Sequence, residues 1–172
     1  RERVAFLAIV PGGGDDQQAG PEGVQDRVFL DRDPGDAAEA EVDHSAAAAS
    51  RSGESGDYIL SIGRLEAVKR VDLIIQALAH VPEPVSLIIA GTGTQAERFE
   101  ALAESLGLGS RVQFLGEVDD DDLVALYAGA LAVVYPPFDE DFGYVTLEAF
   151  LSKKPVVTTA DAGEPATFVL DG

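Results

Sequence analysis

Two glutamates eight residues apart, Glu140 and Glu148, are the side chains here best spaced to hold a polyhydroxylated ligand. Glu140 stands in the loop PPFDEDFG, and Glu148 lies one to two turns into the helix expected next. Carboxylates bind vicinal hydroxyls well because each oxygen presents lone pairs. They are costly to bury without such partners. Glu148 would accept hydrogen bonds from a ribose diol, and Glu140 would hold the hydroxyls of a sugar. Gly143 begins the helix, whose tip offers unpaired amides and a partial positive charge, so a diphosphate fits there. On spacing alone, both glutamates also read as two of 31 surface acids.

Gly63 and Arg64 follow an expected strand, and Lys69 comes five residues after Arg64. Gly63 would let a diphosphate approach the backbone closely. Arg64 offers a planar fork of donors to phosphate oxygens, and Lys69 a mobile point charge. From position alone, these cations read equally as surface partners of Glu66 or Asp72. Gly91 and Gly93 follow the next strand in GTGT. That stretch lacks the lysine of a P-loop and the placement of a dinucleotide fingerprint. The two glycines read first as turn formers, and second as room for a nucleobase or sugar against the backbone. A pair of carboxylates also raises glycoside hydrolysis, but Arg64 and Lys69 favour a phosphate leaving group. Neither His44 nor His80 sits where a base or metal ligand is needed, and no Asp/His cluster suggests a metal. The acids at 119–122 suit a helix start, where carboxylates face free amides.

Strands and helices alternate along the chain around these residues. Residues 58–62, 85–90, 111–115, 131–135 and 156–159 read as strands. Between them, helices are expected over 71–81, 96–106, from the acids at 119–122, and over 144–152, with another beginning at 164–170. In the first, Val71, Ile74, Ile75, Leu78 and Val81 share one side, and Pro82 and Pro84 end it. The run VSLIIA suits a central strand covered on both faces. Such β-α alternation implies an α/β fold with a parallel sheet, right-handed crossovers and ligands beyond the carboxyl ends of the strands. Residues 1–57 form a second, poorly defined region. Residues 4–10 read as a buried strand and 28–30 as a short edge strand. The Ala-rich run at 46–50 reads as a helical turn or linker, and the remainder as acidic loop.

Composition narrows the function classes. The chain has 172 residues, with 31 Asp and Glu against 12 Lys and Arg, a net charge of −19. Residues 1–57 carry 13 acids against 5 bases, and residues 58–172 carry 18 against 7. Nucleic acid needs a basic stripe, which is absent, and charge-driven binding to anionic membrane is equally disfavoured. The spread of acids reads as a surface adapted to a salty cytoplasm, with plain solubility as the alternative. There are no cysteines, which excludes disulfides and thiol nucleophiles. No apolar run reaches the length of a transmembrane helix.

The stretches YILSIGRLEAVKRVDLIIQAL, LIIAGTGTQAERFEALAESLGLGSRVQFLGEV and DDDLVALYAGALAVVYPPFDEDFGYVTLEAFLSKKPVVTT together resemble the C-terminal domain of family 4 glycosyltransferases. Those enzymes have the two-Rossmann-domain GT-B architecture. The resemblance runs over 58–169 and includes an E-x7-E motif as Glu140 and Glu148. It implies a Rossmann-like parallel sheet with helices on both faces, the C-terminal half of a GT-B enzyme. It also implies a nucleoside-diphosphate sugar as donor, transfer to a hydroxyl acceptor with retention, and no cofactor or metal. Arg64 and Lys69 resemble the residues that contact the donor diphosphate and stabilise it as it leaves. Glu148 resembles the ribose ligand, and Glu140 the carboxylate near the donor sugar. Gly63, Gly91, Gly93 and the amides around Phe142, Gly143 and Tyr144 resemble parts of the donor cradle. With the acidic surface, the resemblance suggests a halophilic archaeal source. It further implies action in the cytoplasm, at the inner face of the membrane through an acceptor-binding domain.

Four departures stand out. Arg70 occupies a place where a small residue is common, Thr92 one where an acid is frequent, and Asp141 one where glycine is usual. TADAGE at 159–164 differs from the usual TDVGG-like loop. Residues 1–57 do not resemble the acceptor-binding domain of the family. This chain alone is therefore expected to bind donor weakly and transfer little. The alternatives are a same-fold sugar-phosphate synthase, a nucleotide-sugar epimerase, or a non-catalytic nucleotide-sugar binding module.

Overall fold

The computed structural model describes residues 7–8 and 56–169. The expected strands at 28–30 and helical turn at 46–50 lie outside them. A six-stranded sheet has the order β1-β6-β5-β2-β3-β4. Its strands are β1 (Leu7–Ala8), β2 (Tyr58–Ile62), β3 (Ser86–Ala90), β4 (Val112–Gly116), β5 (Ala132–Val134) and β6 (Val156–Thr158). Five strands are parallel. The expectation of a wholly parallel sheet needs one correction, because β1 pairs antiparallel with β6 and occupies that edge. Of the strand read at 4–10, only Leu7–Ala8 falls within the described residues.

The interior strands are apolar on both sides because both faces are covered. On one face, Leu60, Ile88 and Val133 pack with Leu126 and Ala149 in one cluster. On the other, Leu87, Ile89 and Val134 pack with Ile75 and Phe99 in a second. The helices α1 (Val71–Leu78) and α2 (Ala96–Ser105) lie on the second face, and α3 (Asp120–Gly129) and α4 (Tyr144–Leu151) on the first. A short α5 (Glu164–Phe168) follows β6. The chain runs outward from β2 to β4, then returns to β5 and runs outward again to β6. Right-handed crossovers in opposite directions must place their helices on opposite faces.

Local sequence explains each helix. In α1, Val71, Ile74, Ile75 and Leu78 are the buried residues, at the i, i+3, i+4, i+7 positions of one helical stripe. The helix stops at Leu78, short of 81, and a tight turn follows in which the His80 and Val81 amides bond the Ala77 and Leu78 carbonyls. For α3, Asp119 is the N-cap, and its side chain accepts a hydrogen bond from the Asp122 amide at 2.8 Å. Asp120, Asp121 and Asp122 fill the first turn, where carboxylates meet the positive end of the helix dipole. Leu123, Leu126 and Tyr127 are its buried face, as their spacing indicates.

Candidate functional site

The strand order reverses between β2 and β5. β2 pairs with β3 on one side and with β5 on the other, and the loops leaving β2 and β5 diverge. In an open parallel sheet this opens a crevice at the carboxyl ends of the strands, where ligands bind. The β2 loop carries Gly63, Arg64 and Lys69, and the β5 loop carries Glu140 and leads to Gly143.

Gly63 has φ +133°, and a Cβ there would meet nothing within 4 Å. Its backbone is therefore open on that side. Arg64 is exposed, and no described side chain pairs with its guanidinium. Neither Glu66 nor Asp72 forms an ion pair with either cation within bonding distance. Glu66 accepts hydrogen bonds from the Thr94 amide at 3.1 Å and the Thr94 hydroxyl at 2.8 Å. These bonds, backbone first, lower the Glu66 pKa, and Arg64 lowers it further. Asp72 lies 3.6 Å from Arg98.

Gly91 and Gly93 owe their identity to this same loop. A Cβ on Gly91 would come within 2.1 Å of the Gly63 carbonyl oxygen, and one on Gly93 within 2.5 Å of the Leu65 amide nitrogen. The Leu65 amide donates to the Thr92 carbonyl at 2.8 Å. The two loops thus pack backbone against backbone, which suits the turn-forming reading of these glycines. On these faces no room is left for a ligand.

Lys69, Glu140 and Glu148 converge. The Lys69 ammonium pairs with the Glu140 carboxylate and also donates to the Tyr135 hydroxyl at 3.2 Å. The Tyr127 hydroxyl donates to a Glu148 carboxylate oxygen at 2.6 Å. Tyr135 lies between the two acids. Its phenol is held protonated well above the usual range, by burial first, then by the Glu140 charge and its hydrogen bond, then by the Glu148 charge. The Tyr127 phenol is raised in the same way by burial and then by Glu148. Lys69, Glu140, Tyr135, Glu148 and Tyr127 make a polar wall in two bonded groups: Lys69 joins Glu140 and Tyr135, Tyr127 bonds Glu148, and the Glu148 charge acts on Tyr135 between them; both acids are half-buried.

Gly143 is the N-cap of α4, at φ +68°. A Cβ there would strike Pro165 at 2.3 Å, so α5 packs directly behind the tip of α4. The first amides of a helix have no partner within it and face outward. Phe142 and Tyr144 flank that tip, both exposed, with ring centroids 4.7 Å apart.

The polar wall is distinct from an apolar cavity of about 340 Å³ on the α1 face, lined by Ile59, Ile74, Leu78, Ala132, Val134 and Val157 among others. Its lining is apolar apart from His80. Among the described residues no group of three or more His, Asp or Glu side chains is arranged for a metal ion. No described helix is long and apolar enough to cross a membrane.

The family model for glycosyl transferases group 1 matches residues 45–172. The chain belongs to this family. Among relatives of this glycosyl transferase group 1 chain, an uncharacterised glycosyltransferase of Methanocaldococcus jannaschii is 39% identical over 107 residues, covering 61% of this chain and 27% of the relative. A D-inositol 3-phosphate glycosyltransferase of Mycobacterium sp. is 35% identical over 136 residues, covering 76% of this chain and 30% of the relative. Among solved structures, HepE of Anabaena in complex with UDP and glucose superposes with a TM-score of 0.63 at 30% identity, covering 74% of this chain and 36% of that one. WaaG, a glycosyltransferase involved in lipopolysaccharide biosynthesis, superposes with a TM-score of 0.62 at 33% identity, covering 73% and 35%. This chain therefore spans about a third or less of the proteins it matches.

Two site-shaping residues of this group 1 chain escaped the sequence reading. Gly163 sits at φ +80°, and a Cβ there would lie 2.5 Å from the Glu140 carbonyl oxygen. The Glu140 amide donates to the Ala162 carbonyl at 2.9 Å, and the Glu164 amide to the Glu140 carbonyl at 2.9 Å. Glu140 is thus held from both sides by the loop after β6. Arg70 was noted only as a departure. Its backbone is left-handed at φ 51°, ψ 41°, and its guanidinium bonds Pro136, Pro137, Thr159 and Asp161. Its charge is paired with Asp161, so it is not a third free cation in the crevice. The signal available in the sequence was a large residue where a small one is common.

Proposed function

We propose that this chain is the donor-binding half of a family 4 glycosyltransferase of GT-B type. It would transfer a sugar from a nucleoside diphosphate to a hydroxyl acceptor with retention of configuration. The observation that carries the reading is the convergence of Lys69, Glu140 and Glu148 on one wall at the reversal point of the sheet. In this reading the diphosphate lies between the open Gly63 backbone and the tip of α4. Arg64 and Lys69 neutralise it as it departs, a task that fixed positive groups perform without a metal. Glu148 takes the ribose diol and Glu140 the donor-sugar hydroxyls. Lys69 then exchanges its pairing with Glu140 for the phosphate, and Glu140 exchanges Lys69 for sugar hydroxyls. Gly91 and Gly93 support the Gly63 loop from behind, while Phe142 and Tyr144 border the sugar.

The reading includes a second, acceptor-binding domain facing this one, because transfer needs both substrates oriented and water excluded. It would act in the cytoplasm, at the inner face of the membrane through that domain. The acidic composition supports a halophilic archaeal source. The UDP bound to HepE makes UDP the first nucleotide to test.

Calorimetric titration of UDP, GDP and ADP into the full-length protein at molar salt tests the proposal. It expects saturable binding of at least one of them. Arg64→Ala is expected to weaken it by about 1.5–3 kcal/mol, the usual worth of a hydrogen bond to a charged group. No binding of any diphosphate, or an unchanged affinity in Arg64→Ala, would contradict it.

A further inference from the structure

We propose that Arg70 is a positioning residue that fastens the loops after β2, β5 and β6 together and thereby sets Glu140 against the donor sugar. The role assigned to Glu140 rests on the proposed function above; the fastening does not.

All three nitrogens of the Arg70 side chain donate hydrogen bonds. Nε donates to the Pro136 carbonyl at 2.8 Å, and Nη2 to the Pro137 carbonyl at 3.1 Å. Nη2 also donates to the Thr159 hydroxyl at 2.6 Å. Nη1 and Nη2 form a two-pronged pair with the Asp161 carboxylate, at 2.8 and 2.6 Å. The guanidinium carbon lies 5.7 Å from the centroid of the Phe138 ring. One side chain therefore joins residues 66 to 91 positions away on two other loops. A planar fork does this because its donors diverge at fixed angles, which an ammonium cannot reproduce.

The loops so joined are the ones that hold the polar wall. Lys69 precedes Arg70 directly. Phe138 donates its amide to the Val68 carbonyl at 2.8 Å, and Asp139 to the Asp161 carbonyl at 3.1 Å. Glu140 and Gly163 then form a parallel bridge. The four hydrogen-bond partners of Arg70 on the β5 and β6 loops thus bracket the segment that ends in Glu140. Arg70 itself holds a left-handed backbone that non-glycine residues seldom adopt. Side-chain bonding on this scale compensates for that cost. The carbonyl bonds and the two-pronged pair with Asp161 commit the guanidinium to the β5 and β6 loops, which suits fastening rather than phosphate binding.

The test compares Arg70→Lys, Glu140→Gln and the double variant in the full-length protein at molar salt. Lysine keeps the charge and loses the fork. Amide hydrogen exchange is the first readout. In Arg70→Lys, exchange at Asp139, Glu140 and Glu164 should accelerate about tenfold or more, while the amides of β2 and β3 stay as protected as in the parent. Unchanged exchange at those three amides overturns the fastening, and this result does not depend on any activity. Equal acceleration throughout β2 and β3 also overturns it, because that is general destabilisation.

The second readout is turnover of a UDP-sugar beside calorimetric binding of UDP. Arg70→Lys should lower kcat about tenfold and leave UDP affinity within about threefold. The double variant should be no slower than Glu140→Gln alone, since Arg70 acts through Glu140. Additive losses, or a loss of UDP affinity equal to the loss in kcat, would overturn the positioning role. If the parent protein binds no nucleoside diphosphate, the functional reading fails, and the exchange data still decide the fastening.

Discussion

Asp161 is an exposed carboxylate whose titration reports on the joining of the site's loops. Its pKa is lowered from the ordinary 3.8 to about 2, first by the Arg70 hydrogen bonds and then by the Thr159 hydroxyl. The folded state favours the charged form, so the contribution of this pair is present above pH 3.8 and lost as the pH falls through about 2. NMR titration of the Asp161 carboxyl carbon should give a midpoint near 2. Arg70→Ala should move it up towards 3.8. A midpoint that does not respond to Arg70→Ala would mean the pair does not form in solution. At this scale the sequence was partly legible. Glu140, Glu148 and Lys69 could be singled out because residue type and spacing within one motif are local. Arg70 and Gly163 could not. Asp161 lies 91 positions from Arg70, and Gly163 owes its identity to the Glu140 backbone beside it. Nor could Gly91 and Gly93 be resolved between turn and ligand cradle, because the Gly63 loop that fills their faces comes from another strand.

The elements were more legible, since apolar periodicity and end signals are short-range. The five parallel strands and the helices between them appear in the expected order. Differences are confined to ends. For β5 the ladder continues past its assigned limits, with the Leu131 amide bonding the Tyr58 carbonyl and the Tyr135 amide bonding the Val157 carbonyl. The antiparallel β1 was not foreseen because pairing direction at a sheet edge has no local signature. Two substitutions measure what holds these elements. Ile75 is completely buried between α1 and the sheet, so Ile75→Ala should cost about 2–5 kcal/mol, the transfer term plus a cavity. Asp119→Ala removes the cap of α3 and should cost about 1 kcal/mol. Denaturant unfolding of each variant checks both values. A smaller loss for Ile75→Ala than for Asp119→Ala would contradict the assignment of α1 to the core.

At the scale of the molecule, a net charge of −19 surrounds a crevice that, in the proposed function, would hold a further anion. In that reading Arg64, Lys69 and the α4 tip would supply the local compensation, and salt the rest. The Debye length falls from about 8 Å at physiological ionic strength to about 3 Å at 1 M, so repulsion among exposed carboxylates should relax. Thermal melts in KCl from about 0.15 to 2 M are expected to show a rising Tm, by about 2–4 °C for each kcal/mol recovered. A flat or falling Tm would point to solubility alone as the reason for the acids. In the proposed function the diphosphate lies where the β2 loop, Lys69 and the α4 tip meet. The most direct measurement is a crystal structure of the full-length protein grown with UDP. Phosphate oxygens are expected within hydrogen-bonding distance of Arg64, Lys69 and the amides following Gly143, with the ribose on Glu148. Nucleotide bound elsewhere, or Lys69 still paired with Glu140 beside a bound diphosphate that neither Arg64 nor Lys69 touches, would contradict it.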